Sequence, residues 1–322
     1  MKIGKLNSHQ LHHSVLSVLN EGNEHAQAKV GEDVAYYECD TKYLAFSTDP
    51  ITGATKEIGS LAVLVSCNDV AAGGAIPRGI LMTLLLPPNT TIEEIEEIAR
   101  DAAQEAKKIG VEILGGHTEV TTAVTRPVIS STVFGTCDKV LPGVQVGDAI
   151  VLTKKIAMEA TGILLRERAD ELAHLSEEER REGLQLAEQL SVLEEAKVAI
   201  KYGVNRMHDV TEGGLLGALS EMVIGRDIGF SIELDAAPLA TVTKKIAEHF
   251  GLDVYQLISS GAMIISLEEQ RAQGLLNALH EEGIEASVIG TFTEETDMRI
   301  NWGGERIHRE LKEVDEIYRV MG

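Results

Sequence analysis

The chain has 322 residues, which at about 150 residues per domain indicates about two domains. Hydrophobic residues make up 44% of it and charged residues 25%, a composition typical of globular proteins and unlike that of disordered, collagenous or disulfide-stapled chains. The 29 basic and 51 acidic residues give a net charge of -22, which repels phosphate backbones and argues against a general nucleic-acid binder.

The expected cellular location follows from the targeting and membrane-spanning patterns that the sequence lacks. It has no signal-peptide pattern and no run of about 18 apolar residues, so we expect a cytoplasmic protein that does not insert into a membrane. Its three cysteines, Cys39, Cys67 and Cys137, are odd in number and lack C-x-x-C spacing. They fit reduced thiols better than a disulfide framework or a zinc site.

The first half of the chain alternates strand and helix patterns. Thr91 is placed to cap the N-terminus of a helix with acidic early turns, and Lys107 and Lys108 lie near its end. The predicted elements are strands at 43–48, 79–86, 111–114 and 127–134, helices at 58–75 and after Thr91, and a glycine-led loop at 115–122.

The second half alternates in the same way after a boundary at 138–148, where a proline and two glycines separate apolar blocks. Two domains, 1–140 and 141–322, and an α/β (α+β) architecture are therefore predicted. The predicted elements are strands at 149–153, 230–234, 262–267 and 286–290, helices at 158–172, 176–190, 191–202, 215–223, 239–250 and 268–282, and a loop at 208–214.

The familiar nucleotide-binding fingerprints are missing from this sequence. No two of the 30 glycines are separated by a single residue, so the G-x-G core of a dinucleotide site is absent. The one Gly-Lys pair, Gly4-Lys5, does not follow the glycine spacing of a P-loop. A protein of this composition that handles phosphates needs another device.

Five acidic side chains lie at predicted strand ends or helix termini: Asp33, Asp49, Asp69, Glu119 and Asp209. Carboxylates without thiolate partners suit Mg²⁺, which bridges substrate phosphates. Each acid alone is also an ordinary helix cap or turn residue. Together, each beside Thr, Asn, His or Gly, they favour a metal and phosphate site.

Two glycine pairs, Gly115-Gly116 and Gly213-Gly214, follow or precede apolar segments. Glycine lets backbone N–H groups approach an anion, and the second pair lies just before a predicted helix. A plain glycine turn explains the spacing equally well.

Five motifs occur in order: STDP at 47–50, NDVAAGGAIP at 68–77, GGHTEV at 115–120, HDVTEGGL at 208–215 and SSGA at 259–262. They resemble the motif series of the aminoimidazole ribonucleotide synthetase (PurM-like) superfamily over about residues 30–300. Within it, the sequence is similar to the HypE-type hydrogenase maturation factors.

The resemblance implies a two-domain PurM-like fold: an N-terminal α/β domain whose sheet pairs with a second subunit, and a C-terminal α+β domain. Members bind ATP with Mg²⁺ and form homodimers. The strand at 79–86, apolar on both faces, independently favours a covering partner. Carried over by motif, the site residues are Asp33, Asp49 and Asp69 for the metal, His117, Glu119 and Asp209 for catalysis, and Thr48, Asn68, Gly115, Gly116, Thr118, Gly213 and Gly214 for the nucleotide.

The reaction that the resemblance implies is phosphorylation of an amide, carboxamide or acid oxygen on a small or protein-bound acceptor. Two alternatives stay open: a small-molecule kinase like thiamine-monophosphate kinase, and a non-catalytic ATP-binding maturation partner. HypE-type factors carry a C-terminal cysteine and a lysine in the Gly-Asp-Thr-Lys loop, whereas this sequence ends in Val-Met-Gly and has Glu119. We therefore expect a relative that acts on a different acceptor.

Overall fold

The computed structural model describes residues 35–39, 42–52 and 57–321. These residues divide after Val140 into an N-terminal unit and a C-terminal unit, each with its own sheet. Within the described ranges, no helix is both long and apolar enough to cross a membrane.

The N-terminal unit is a mixed five-stranded sheet of order β1-β2-β5-β3-β4. β3 and β4 run parallel because helix α2 carries the chain back between them, and the other pairs are antiparallel. The elements are β1 (Ala35–Cys39), β2 (Lys42–Ile51), α1 (Ile58–Ala72), β3 (Ile76–Leu86), α2 (Ile92–Ile109), β4 (Glu112–Val120) and β5 (Val128–Cys137).

The two faces of this sheet differ in cover. Helix α1 packs on one of them, the covered face, where a Cβ on Gly135 would lie 2.5 Å from the Val70 side chain. Strand alternation and register place these side chains on the covered face: Ala45, Ser47 and Asp49 of β2, Ser131 and Val133 of β5, and Met82 of β3. The opposite, open face carries Phe46, Leu81 and Phe134, and the first two are 39% and 52% exposed.

Helix α2 confirms the prediction at Thr91. The Thr91 hydroxyl accepts from the Glu94 N–H at 3.2 Å, and Glu94 Oε2 accepts from the Thr91 N–H at 2.7 Å, forming a capping box. Lys107 and Lys108 lie in the last turn, and Gly110 ends the helix in the left-handed conformation.

The predicted loop at 115–122 is wrong, since β4 continues through Val120. Gly115 to Val120 pair in register with Leu81 to Leu86 of β3. The cause is a close approach of the two strands: a Cβ on Gly116 would lie 1.7 Å from the Met82 carbonyl oxygen. The glycines therefore allow strand pairing here rather than a turn.

The C-terminal unit contains a seven-stranded sheet of order β12-β11-β8-β10-β6-β9-β7, in which only β11 and β8 are parallel. Its core joins Leu215 and Leu219 of one helix to the sheet residues Phe230 and Ile264. The strands are β6 (Asp148–Thr153), β7 (Arg206–Val210), β8 (Gly229–Glu233), β9 (Ala262–Glu268), β10 (Ala286–Thr293), β11 (Met298–Trp302) and β12 (Glu305–Ile307). The helices are α3 (Met158–Glu167), α4 (Glu177–Leu186), α5 (Leu193–Tyr202), α6 (Gly214–Val223), α7 (Thr241–Phe250), α8 (Ala272–Glu281) and α9 (Tyr318–Met321).

Three expectations for this unit are corrected. His208 and Asp209 lie in β7 and not in a loop, because β7 pairs with β9, so the turn before α6 is confined to 211–213. The helix predicted over 158–172 ends at Glu167, where the apolar stretch gives way to Arg168 and a series of turns. Strands β7, β11 and β12 were not predicted as strands.

Candidate functional site

Two of the predicted metal carboxylates converge on one hydroxyl. Ser47 Oγ on β2 donates to Asp69 Oδ2 of α1 at 2.5 Å and also lies 3.4 Å from Asp49 Oδ2. Asp49 and Asp69 are 20 residues apart in the chain but meet here because α1 packs on the covered face of the sheet. The sequence-predicted pair is thus brought together in the N-terminal unit.

A buried serine adjoins this carboxylate pair. Ser131 of β5 is the register partner of Asp49 and is fully buried. Side chains of such directly opposed residues share a face, with Cβ atoms about 5 Å apart. Ser131 Oγ has no hydrogen-bond partner among the described residues, although the Ser131 carbonyl accepts a bond from Ser66 Oγ at 3.4 Å.

The local electrostatic environment is negative. Burial, together with the charges of Asp69 and Glu105, raises the pKa of the Cys67 thiol to about 12. Cys67 is therefore a neutral, weakly nucleophilic thiol at physiological pH, and a thiol is a soft ligand that suits Mg²⁺ poorly. The oxygens of Asp49, Asp69 and Ser47 are left as the hard ligands of this region.

This donor set fits Mg²⁺. The ion prefers oxygen ligands and is usually held by one or two carboxylates together with waters and substrate phosphates. In the described ranges no three His, Cys, Asp or Glu side chains are grouped to hold a metal. Asp49 and Asp69 would therefore hold the ion jointly with a phosphate, and the unpartnered Ser131 hydroxyl adds an oxygen at the same place. The third predicted metal residue, Asp33, lies outside the described residues.

The catalytic candidates of the N-terminal unit lie on the other face of the sheet. His117 and Glu119 of β4 are register partners of Thr83 and Leu85, which places both on the open face. His117 Nε2 is 3.5 Å from Glu119 Oε2, and their side chains are 66% and 53% exposed. They form a solvent-accessible acid–imidazole pair, separate from the Asp49–Asp69 pair.

The nucleotide candidates divide between the two faces as well. Thr48 lies on the open face, where its hydroxyl is 2.9 Å from that of Thr132. Asn68 is buried on α1 beside Asp69, and the register of Thr118 with Leu84 assigns it to the covered face. Gly115 and Gly116 lie in β4. Both have a positive φ that favours glycine, and Gly116 also packs closely against the Met82 backbone.

In the C-terminal unit, Asp209 and His208 point to opposite sides of β7. Asp209 is buried, at 2% exposure. His208 Nε2 lies 3.0 Å from Glu221 Oε2 of α6. Asp209 therefore stays a candidate inside the unit, whereas His208 fastens β7 to α6.

The predicted anion position at Gly213 and Gly214 holds a carboxylate of the chain itself. The Gly213 N–H donates to Asp315 Oδ2 at 2.7 Å, and the Ile317 N–H donates to Asp315 Oδ1 at 2.8 Å. A Cβ on Gly214 would lie 2.7 Å from the Leu257 carbonyl oxygen, so glycine is needed for the close approach. The N-terminus of α6 does attract an anion, and in this structure the anion is Asp315.

A second buried carboxylate lies close by. Glu159 Oε2 of α3 is shielded from solvent and has no hydrogen-bond partner among the described residues. Burial raises the pKa of Glu159; hydrogen bonds from Ser260 oppose the shift, and the nearby charges of Asp315 and Glu212 add to it. The SSGA motif contributes to this cluster, since Ser259 Oγ accepts from the Ala157 N–H at 2.7 Å.

Asp315 gives a pH-dependent prediction. Burial raises its pKa from 3.8 to about 6, with backbone hydrogen bonds opposing the shift and Glu212 adding to it. A carboxyl group whose pKa is raised by folding stabilises the folded protein at pH values below its unfolded pKa of 3.8. That stability is lost as the pH rises through about 6. We expect the melting temperature of Asp315→Asn, relative to the parent protein, to rise between pH 4 and pH 7 in thermal unfolding. Asp170→Asn, at an exposed position, is the control, and parallel curves for Asp315→Asn and the parent would contradict the assignment.

Sequence reasoning missed Ser131, Glu159 and Asp315. None of the three lies in one of the five motifs that carry the family resemblance. Asp315 is 102 residues from the N–H group that it contacts, so only the folded chain brings the two together. For Ser131 the one available signal was its alternation with Ile129 and Val133 in a strand pattern, which predicts burial.

Comparisons with known proteins agree with this architecture. The family model "AIR synthase related protein, N-terminal domain" matches residues 31–137, and "AIR synthase related protein, C-terminal domain" matches residues 145–303. The chain is 30% identical to carbamoyl dehydratase HypE of Rhodobacter capsulatus over 82% of this chain and 81% of that protein. It is 27% identical to HypE of Escherichia coli over 83% and 81%, and 28% identical to selenide, water dikinase of Treponema denticola over 68% and 61%.

Solved structures show the same fold. The E. coli HypE crystal structure superposes with a TM-score of 0.76 at 24% identity, covering 86% of this chain and 88% of that one. A HypE solved in complex with ATP gives 0.72 at 23% identity, covering 99% and 98%. A ThiL complexed with AMPPCP and TMP gives 0.76 at 18% identity, covering 96% and 98%.

Proposed function

The chain belongs to the AIR synthase related protein family, and from this premise we propose that it is an ATP-binding, Mg²⁺-dependent enzyme. It transfers the γ-phosphoryl group of ATP to an amide, carboxamide or acid oxygen of a small or protein-bound acceptor. A P–O bond to the acceptor forms, the bond to ADP breaks, and the phosphorylated oxygen becomes a leaving group.

The observation that carries this proposal is the pairing of Asp49 and Asp69 around Ser47. A chain of net charge -22 repels ATP unless a cation intervenes, and two adjacent carboxylates supply the binding energy for that cation. The named activities of the relatives, carbamoyl dehydratase and selenide, water dikinase, support a phosphoryl-transfer enzyme.

The residues contribute mainly by position and charge. When bound, Mg²⁺ would neutralise the charge that develops on the transferred phosphoryl group. Asp49 and Asp69 would hold it, and the Ser47 hydroxyl between them keeps the two carboxylates in place. The exposed His117–Glu119 pair, 3.5 Å apart, is the acid–base pair available to move a proton.

The test is ADP release by the pure protein with ATP and Mg²⁺, first alone and then with carboxamide, carboxylate and thiamine-monophosphate acceptors. ADP formation that depends on a carboxamide or acid supports the proposal. Turnover only with thiamine monophosphate, leaving a stable phosphorylated product, indicates the small-molecule kinase. Tight ATP binding without turnover with any acceptor indicates a non-catalytic partner in maturation; among the relatives, HypE has been solved in a complex with HypF.

We also propose that two copies associate through the open face. Phe46 and Phe134, with ring centroids 6.3 Å apart, and Leu81 form an apolar surface beside the exposed edge strand β4. Exposed apolar surfaces of this kind mark association sites, and a two-fold dimer is the commonest outcome.

The dimer prediction concerns Leu81. Leu81→Glu is expected to shift light scattering from about twice 34.8 kDa to a monomer mass, because it buries a charge in the apolar contact. Val146→Glu, at a residue of similar exposure in the C-terminal unit, should leave the mass unchanged. A parent protein that stays at 34.8 kDa at all concentrations would refute the dimer.

A further inference from the structure

We propose that Ser131 is a positioning residue of the cation site, whose hydroxyl binds a water molecule of the Mg²⁺ hydration shell beside Asp49. This inference rests on the proposed function, because it assumes that Asp49 and Asp69 hold the ion. It assigns a role to a residue outside every motif of the sequence.

The Ser131 hydroxyl is a buried polar group. Ser131 is fully buried in the central strand β5, and its Oγ has no hydrogen-bond partner among the described residues. A buried hydroxyl without a hydrogen-bond partner destabilises the folded state, so such a group in a folded protein calls for an explanation. Valine or alanine would pack in this strand without that cost.

The face of the sheet on which Ser131 lies decides which polar groups its side chain can reach. Asp49 and Ser131 are opposed across antiparallel strands and share the covered face. Met82, the other register partner of Ser131, offers only a thioether, a weak acceptor. The strong polar neighbour is thus the carboxylate of Asp49, which is itself 3.4 Å from Ser47 Oγ.

The hydration of Mg²⁺ offers this hydroxyl a partner. Mg²⁺ dehydrates reluctantly and keeps several waters, and each metal-bound water needs acceptors for its protons. A serine oxygen accepts such a proton while its own hydrogen is donated to a carboxylate. The Ser131 hydroxyl therefore gains its partner when the hydrated ion binds, which explains a polar side chain between the buried Ile129 and Val133 of β5.

The experiment compares Ser131→Ala with Ser66→Ala. Ser66 is a neighbouring buried serine whose hydroxyl already donates to the Ser131 carbonyl, so it is the matched control. Binding of Mg²⁺ with the ATP analogue AMPPCP is measured by calorimetry, and melting temperatures are measured with and without both. Mn²⁺ in place of Mg²⁺ gives an independent readout of the ion by electron paramagnetic resonance.

We expect Ser131→Ala to bind Mg²⁺·AMPPCP about tenfold more weakly, the effect typical of groups that support metal ligands. Its melting temperature without ligand should equal or exceed that of the parent protein, because an unsatisfied hydroxyl has been removed. Ser66→Ala should show the reverse: a lower melting temperature and parental affinity.

Two results overturn the inference: parental affinity of Ser131→Ala, or a fall in its ligand-free melting temperature with a binding loss no larger than that of Ser66→Ala. Failure of the proposed function is distinguishable from both, since the parent protein itself would then bind no Mg²⁺·AMPPCP.

Discussion

Replacing Asp49 or Asp69 by asparagine is expected to lower the affinity for Mg²⁺·ATP by more than about 100-fold, beyond the effect of removing a supporting group. Each substitution removes one of the two charges that meet at Ser47. With only one carboxylate left, the ion is held more weakly, and where Mg²⁺ is absent the -22 charge of the chain repels ATP. Calorimetric titration with Mg²⁺ and AMPPCP measures the loss.

The fold should survive both substitutions. Asparagine is close in size to aspartate and can still accept the Ser47 hydrogen bond. Removing one of two neighbouring negative charges also relieves repulsion in the ligand-free protein. Glu97→Gln, on the exposed side of α2, controls for the general change in charge. Parental affinity in both aspartate variants would show that these carboxylates do not hold the ion.

Local chemistry accounts for what the sequence predicted well. The capping box of α2 depends on residues three apart, and such a signal is readable without the fold. The motif series also led to the prediction that Asp49 and Asp69 belong to one site. Packing of α1 on the sheet brings them to one hydroxyl, and their metal-binding role stays a prediction. The cap therefore needs only a short segment, whereas the carboxylate pair needs the folded unit.

Pairing between distant segments accounts for the failures. The Gly115-Gly116 pair suggested a loop because glycine is common in turns, yet the deciding contact is with Met82, over thirty residues earlier. The Gly213-Gly214 pair led to a predicted nucleotide contact, which stays a prediction, and nothing in the sequence indicated that Asp315 would accept from the Gly213 N–H. Ser131 looks like any polar residue in a strand until its register partner, Asp49, is known.

The second large effect is expected at Gly116. A Cβ there would lie 1.7 Å from the Met82 carbonyl oxygen and 2.9 Å from the Met82 nitrogen, and both atoms are backbone. Met82 cannot move aside without disturbing its pairing with Ser131 in the middle of the sheet. Gly116→Ala should therefore cost about 4 kcal/mol or more of unfolding free energy, measured by urea denaturation, and should also weaken Mg²⁺·AMPPCP binding.

Gly115 provides the matched control for this prediction. Its φ of +151° is close to the +154° of Gly116, but a Cβ on Gly115 meets nothing within 4 Å. Gly115→Ala should therefore cost only the backbone strain, about 1–3 kcal/mol of unfolding free energy. Equal losses of stability in the two variants would mean that conformation alone requires glycine here. A larger loss of stability in Gly116→Ala would show that the close packing of β4 against β3 is what requires glycine at position 116.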